Sequence, residues 1–197
     1  GGSAESSTAA LLIKPRVATA SNNIIESLVI EDIVLQGFTV DKITSGSNTA
    51  TITINDFVSR NMKLSKRSFV ITADNIINKW RSLDDSFFQM GANTTIAQVR
   101  AKDVGMIRPV ISGESAAIKA RSFQFADCDK VKLVDPDIRN TVIAIELLSN
   151  VSKYIESGRT VKDSPLTILN TAGATIAESE TRNGNLILSA TAIQTVG

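Results

Sequence analysis

The chain has 197 residues, 43% hydrophobic and 21% charged, with 21 basic against 20 acidic side chains and no histidine. The missing histidine excludes Ser-His-Asp and Cys-His catalysis within one chain, His-ligated metal sites and a histidine pH switch. A single cysteine, Cys128, excludes an internal disulfide and every multi-cysteine zinc or iron–sulfur site; no apolar run reaches the roughly 18–20 residues of a membrane-spanning helix.

Residues 1–10 are Gly, Ser, Thr and Ala with one Glu, and read as a flexible tail or a cloning scar. No charged n-region precedes the short apolar patch that follows, so no secretory signal is expected, and a reducing compartment or a virion suits the chain. Residues 11–197 read as one domain. With seven Phe, one Trp and one Tyr, the core must draw mainly on Ile, Val, Leu and Ala.

NNIIESLVIEDIVLQGFTVDKI, residues 22–43, is rich in β-branched side chains. It reads as one or two strands broken near Gly37, although the spacing in 22–36 also fits a helix. After a loop at 44–49, ATITINDF (50–57) alternates cleanly and predicts a half-buried strand, hairpin-paired with 38–43. SFVIT (68–72) reads as a buried strand. Ile76, Ile77, Trp80 and Leu83 fall at helical spacing, which predicts a short amphipathic helix over 74–83 with Trp80 in the core. A second short helix is expected over 94–103, ending at Gly105 as a C-terminal glycine cap. AIKARSFQFA (117–126) reads as a strand with Phe123 and Phe125 on one face.

The best-punctuated segment is 136–157. Asp135 suits a cap, Pro136 the first helical position and Gly158 the end, with Ile138, Val142, Ile145, Leu148, Val151 and Ile155 as one apolar stripe. This predicts one long helix; the competing reading is a turn at 135–140 followed by a strand TVIAIELL. LTILNT reads as a strand, and Asn183-Gly184 between apolar arms predicts a terminal hairpin. No internal repeat stands out. The expected fold is therefore α+β: an antiparallel, β-rich single domain with one long helix (136–157) and two short ones (74–83 and 94–103).

Charge is unevenly distributed. Residues 1–57 carry a net −3, residues 58–121 a net +6 and residues 122–197 a net −2. The basic middle third is densest at RNMKLSKRSF, where Arg60, Lys63, Lys66 and Arg67 fall together, joined by Lys79 and Arg81. These six residues are the candidate contact for a protein partner, another subunit or nucleic acid; a solvated surface balanced by acidic patches elsewhere is the bland alternative. If 57–67 were helical, Arg60, Lys63 and Arg67 would share one face.

No catalytic constellation, phosphate-cradling glycine loop, metal-ligand spacing or cofactor motif is present in the sequence. Asp127 and Asp129 should make the Cys128 thiol less acidic; Asp135 and Asp137 suit helix capping better than a calcium loop. These features favour a non-enzymatic structural or assembly protein, a self-associating subunit such as a viral or phage coat or tail component. A nucleic-acid-binding accessory protein is the second reading, and a His-independent enzyme the third.

Overall fold

The computed structural model describes residues 23–35, 52–65, 75–164, 168–177 and 193–195. Its strands follow one another as short arms of a repeating coil. The first coil holds β1 (Asn23–Glu31) and β2 (Val34–Leu35), the second β3 (Ile52–Arg60) and β4 (Lys63–Ser65). The third holds β5 (Asn75–Leu83), β6 (Ser86–Gln89) and β7 (Ala97–Val99); the fourth β8 (Asp103–Ile107), β9 (Val110–Gly113) and β10 (Phe123–Phe125). The fifth holds β11 (Lys130–Val134), β12 (Asp137–Arg139) and β13 (Ile145–Leu147). The sixth holds β14 (Lys153–Ser157), β15 (Thr160–Lys162) and β16 (Ile168–Asn170), and β17 (Thr175–Ala177) and β18 (Ile193–Thr195) follow.

Each strand pairs in parallel with its equivalent in the next coil, giving three parallel sheets. Sheet 1 runs β1-β3-β5-β8-β11-β14-β17, sheet 2 β2-β4-β6-β9-β12-β15, and sheet 3 β7-β10-β13-β16-β18. Parallel neighbours need a long crossover, and here the remainder of each coil supplies it. The protein is thus a parallel β-solenoid. Leu28, Phe57, Trp80, Val104, Val131, Tyr154 and Ile176 stack in register, so successive coils are 29, 23, 24, 27, 23 and 22 residues long.

Among the described residues, sheet 1 passes to sheet 2 through two residues in each of six coils. The first takes a left-handed conformation each time: Asp32 (φ 56°), Asn61 (49°), Asp84 (57°), Arg108 (51°), Asp135 (50°) and Gly158 (70°). Asp, Asn and Gly tolerate that region best, the first two because their short polar side chains bond locally. Gly158 is also a steric requirement, since a Cβ there would lie 1.9 Å from Asp135 Oδ1.

The core fills the space between the sheets. Phe57 stacks on Trp80 at 5.5 Å between ring centroids, and edge contacts continue from Trp80 to Phe87, Phe123 and Phe125, with Tyr154 tilted beyond. All six rings are fully buried, each ring pair adding about 0.5–1.5 kcal/mol beyond its area. The column Ser59, Ser82, Met106, Leu133, Glu156 also faces inward. At one end Ser59 and Ser82 donate to the buried Asp85 carboxylate, which also accepts from the Met62 amide at 2.8 Å. At the other, Glu156 accepts from the Tyr154 hydroxyl and the Arg159 guanidinium, all three buried. Burial pushes the Tyr154 phenol well above its ordinary range.

This architecture overturns the α+β antiparallel expectation: every strand pair is parallel, and there is no helix among the described residues. The predicted long helix over 136–157 is β12, β13 and β14 with the turns between them. Its apolar stripe is not one face of the molecule: Ile138, Ile145 and Val151 are buried, while Val142 is exposed and Ile155 lies on the outward side of β14. The competing reading, a turn at 135–140 followed by a strand TVIAIELL, holds only in part: Ile145–Leu147 is β13, but Asp137–Arg139 is itself a strand and 142–144 lie in none. Asp135 and Pro136 form a corner, not a cap.

The predicted helix over 74–83 is β5. The three-residue step between the buried Ile77 and Trp80 marks a break in alternation at Asn78, whose amide donates to Asn55 Oδ1 at 2.8 Å. Asn55 in turn donates to Glu26 at 2.7 Å. The 94–103 helix is replaced by β7, a turn and the start of β8, with Gly105 inside a strand. β3 pairs in parallel with β1 on one edge and β5 on the other, leaving no edge for the expected hairpin with 38–43. Residues 1–10, 38–43, 68–72 and the Asn183-Gly184 turn lie outside the described residues.

Candidate functional site

The broadest regular surface is the outer face of sheet 1. Three outward columns cross it: Ser27, Asp56, Lys79, Asp103, Lys130, Lys153; Val29, Val58, Arg81, Gly105, Lys132, Ile155; and Glu31, Arg60, Leu83, Ile107, Val134, Ser157. Alternation, clearest in KVKLV at β11 with its exposed–buried–exposed–buried pattern, turns these side chains outward and their neighbours into the core.

Four of the described large apolar side chains most open to solvent share this face: Ile24 (59% exposed), Val29 (52%), Ile76 (39%) and Ile107 (43%). Gly105 makes a notch, with nothing within 4 Å of where its Cβ would be. Around it lies an open groove of about 300 Å³, bordered by Arg60, Arg81 and Lys132 on the charged side and Leu83, Ile107 and Val134 on the apolar side.

Stacking the coils rearranges the charge blocks of the linear sequence. Arg60 pairs with Glu31, and Arg81 with Asp56, joining the basic middle third to acids of the first. Arg100 pairs with Asp127 and Arg121 with Glu146, joining it to acids of the last third. Arg108 binds Asp84 through two hydrogen bonds of 2.7 and 2.8 Å. All seven arginines among the described residues are in ion pairs, most of them too exposed to add much stability. Their effect is to lower the net positive field a phosphate backbone would meet.

Of the six residues singled out by charge, Arg60, Lys79 and Arg81 share the outer face of sheet 1. Lys63 lies beyond the Asn61 corner, exposed on β4 of sheet 2 beside Val34 and Ser86, so it does not share a helical face with Arg60. Lys66 and Arg67 lie outside the described residues. Asp103, Gly105, Ile107, Lys130 and Lys132 belong to the same face but were not singled out, because they lie outside the dense run of basic residues and come together with it only when the coils stack. Their signal was the alternation of KVKLV and DVGMI.

Elsewhere, Glu146 is buried, with Arg121, Ser122 and Gln124 all donating to it at 2.7–3.3 Å. Burial would raise its pKa, but these donors outweigh that and hold it below the ordinary carboxylate value. Burial, with a smaller contribution from Asp127 and Asp129, pushes the Cys128 thiol up to about 11. A shallow concavity lined by Lys119, Thr141, Val142, Val161, Asp163 and Ser164 lies at the sheet 2–sheet 3 corner. Among the described residues no cluster of three His, Cys, Asp or Glu side chains could hold a metal ion, and no helix is long and apolar enough to cross a membrane. The fold thus defines a parallel β-solenoid protein with a mixed apolar and charged sheet face. No family model, curated protein or solved structure matches the chain.

Proposed function

We propose that this protein is a structural, self-associating subunit whose stacked coils form a rigid body and whose outer sheet 1 face is the assembly surface. The observation that carries the reading is that Ile24, Val29, Ile76 and Ile107 are all exposed on the outer face of one sheet, interleaved with charges of both signs. Exposed apolar side chains set among polar groups on one face suit a protein–protein contact. Mixed charge on the same face disfavours non-specific collapse and suits a partner with matched charges.

The nucleic-acid reading is weaker, because Arg60 and Arg81 already share carboxylate partners. Phosphate contacts would have to displace these or rely on the lysines alone. Light scattering after size exclusion, across a hundredfold range of protein concentration, tests the proposal. A mass that rises with concentration to a defined multiple of the chain supports it; a monomer at every concentration overturns it. Salt-dependent binding of a labelled oligonucleotide by that monomer would favour the second reading instead.

A further inference from the structure

Resting on the assembly reading, the charge order on sheet 1 goes further and points to a particular partner and arrangement: we infer that the face pairs with the same face of a second copy, about a two-fold axis parallel to the strands and lying between β5 and β8. Such an axis lays each outward column against its own counterpart in reversed order. The column Asp56, Lys79, Asp103, Lys130 alternates negative, positive, negative, positive across four successive strands. Reversal about its midpoint brings Lys79 against Asp103 of the second copy, and Asp56 against Lys130. Every charge in the run then meets its opposite, and each contact occurs twice.

The central pairs of the other two columns agree with the same axis. Arg81 of one copy comes over Gly105 of the other, where the missing side chain leaves an open notch beside Arg81's own position in the face. Leu83 meets Ile107, so the apolar residues that border the groove cover each other at the centre. Six strands about 4.8 Å apart give a contact roughly 29 Å long, and five residues at about 3.3 Å give a width of roughly 17 Å. A two-fold axis perpendicular to the strands and running along this column would keep strand order, set Asp56 on Asp56 and Lys79 on Lys79, and is rejected by its like charges.

The test is a mixing experiment with Lys79→Glu and Asp103→Lys chains, followed by sedimentation equilibrium at low salt. Each variant alone sets like charges together twice and should weaken self-association by roughly tenfold or more. Mixed in equal amounts, the two restore opposite charges at both contacts, and the mixture should associate about as well as the unmodified chain. Changes confined within one chain cannot produce that recovery. A second pair, Asp56→Lys with Lys130→Glu, applies if either first variant loses the buried tryptophan emission of the folded state.

Recovery in the mixture supports the arrangement. If the unmodified chain assembles but both variants assemble equally well, or the mixture shows no recovery, this pairing is overturned while assembly through another surface stands. A trimeric unmodified assembly also overturns it, since a two-fold leaves no third position. An unmodified chain that never leaves the monomer overturns the assembly reading itself.

Discussion

The indole N–H of Trp80 donates to the Ser59 hydroxyl one coil below it, at 2.7 Å. The Ser59 hydroxyl in turn donates a hydrogen bond to the Asp85 carboxylate, so the only tryptophan is tied into a buried polar chain while its ring stacks on Phe57. Two adjacent coils are therefore linked by packing and hydrogen bonding at the same place.

Trp80→Phe should retain the ring contacts but leave the Ser59 hydroxyl without its donor and a small gap beside it. A loss of about 2 kcal/mol is expected from urea unfolding, against about 3–5 kcal/mol for Trp80→Ala. In the unmodified chain the buried indole should emit at short wavelength and resist quenching by acrylamide, shifting red only in the cooperative transition. Equal losses for the two variants would argue against the hydrogen bond.

Two buried carboxylates should respond to pH with opposite sign. Asp85 is raised, because burial outweighs its hydrogen bonds from Ser59, Ser82 and Met62. Its favourable contribution is present below the unfolded carboxylate value and is lost as pH rises through the folded one. Glu146 is lowered, as its donors prevail over burial. Its contribution is present above the unfolded value and is lost as pH falls through the folded one. Relative to the unmodified protein, Asp85→Asn should therefore gain stability between pH 3 and pH 7, while Glu146→Gln should lose it. Urea midpoints at both pH values decide this, and parallel trends for the two variants would contradict it.

Glycines 105 and 158 should separate assembly from folding. Gly158→Ala forces a side chain into the left-handed region and against Asp135, and should cost at least about 1–2 kcal/mol. Gly105→Ala meets nothing within 4 Å and should be neutral, or stabilising by up to about 1 kcal/mol through the unfolded state. Filling the notch with Gly105→Gln should leave the melting temperature unchanged and weaken self-association. If the melting temperature falls instead, the notch is needed by the monomer.

Strand residues were the legible part of this chain, and their partners were not. Alternation in 50–57 pointed to β3, the β-branched run in 22–36 left strand and helix both open where β1 lies, and Trp80 was placed in the core. Parallel pairing across some 22–29 residues leaves no local turn signal of the kind an antiparallel hairpin has. The coil repeat was also obscured, since inward positions need only be apolar and exchange Phe, Trp, Val and Tyr freely along one column. A periodic trace does survive in the turn residues. Asn61 and Asp84, Asp135 and Gly158, Asn140 and Asp163, and Asp127, Asn150 and Gly173 each recur at 23 residues, all with positive φ. The sheet 1 face was half visible: Arg60, Lys79 and Arg81 stood out by charge, but the acids that neutralise them sit a coil away.

The two-residue corner between sheets 1 and 2 has a counterpart of quite different character on the far side of the coil. There the link from sheet 2 to sheet 3 spans 90–96, then 114–122, then 140–144, so most of the length difference among these three coils is taken up at that vertex. New sequence can enter there, as at the exposed 116–118 tip, without shifting any strand against its neighbour. The opposite corner acts as the ruler that keeps registry, and the variable one is where this scaffold can be lengthened, tagged or diversified during evolution or by design.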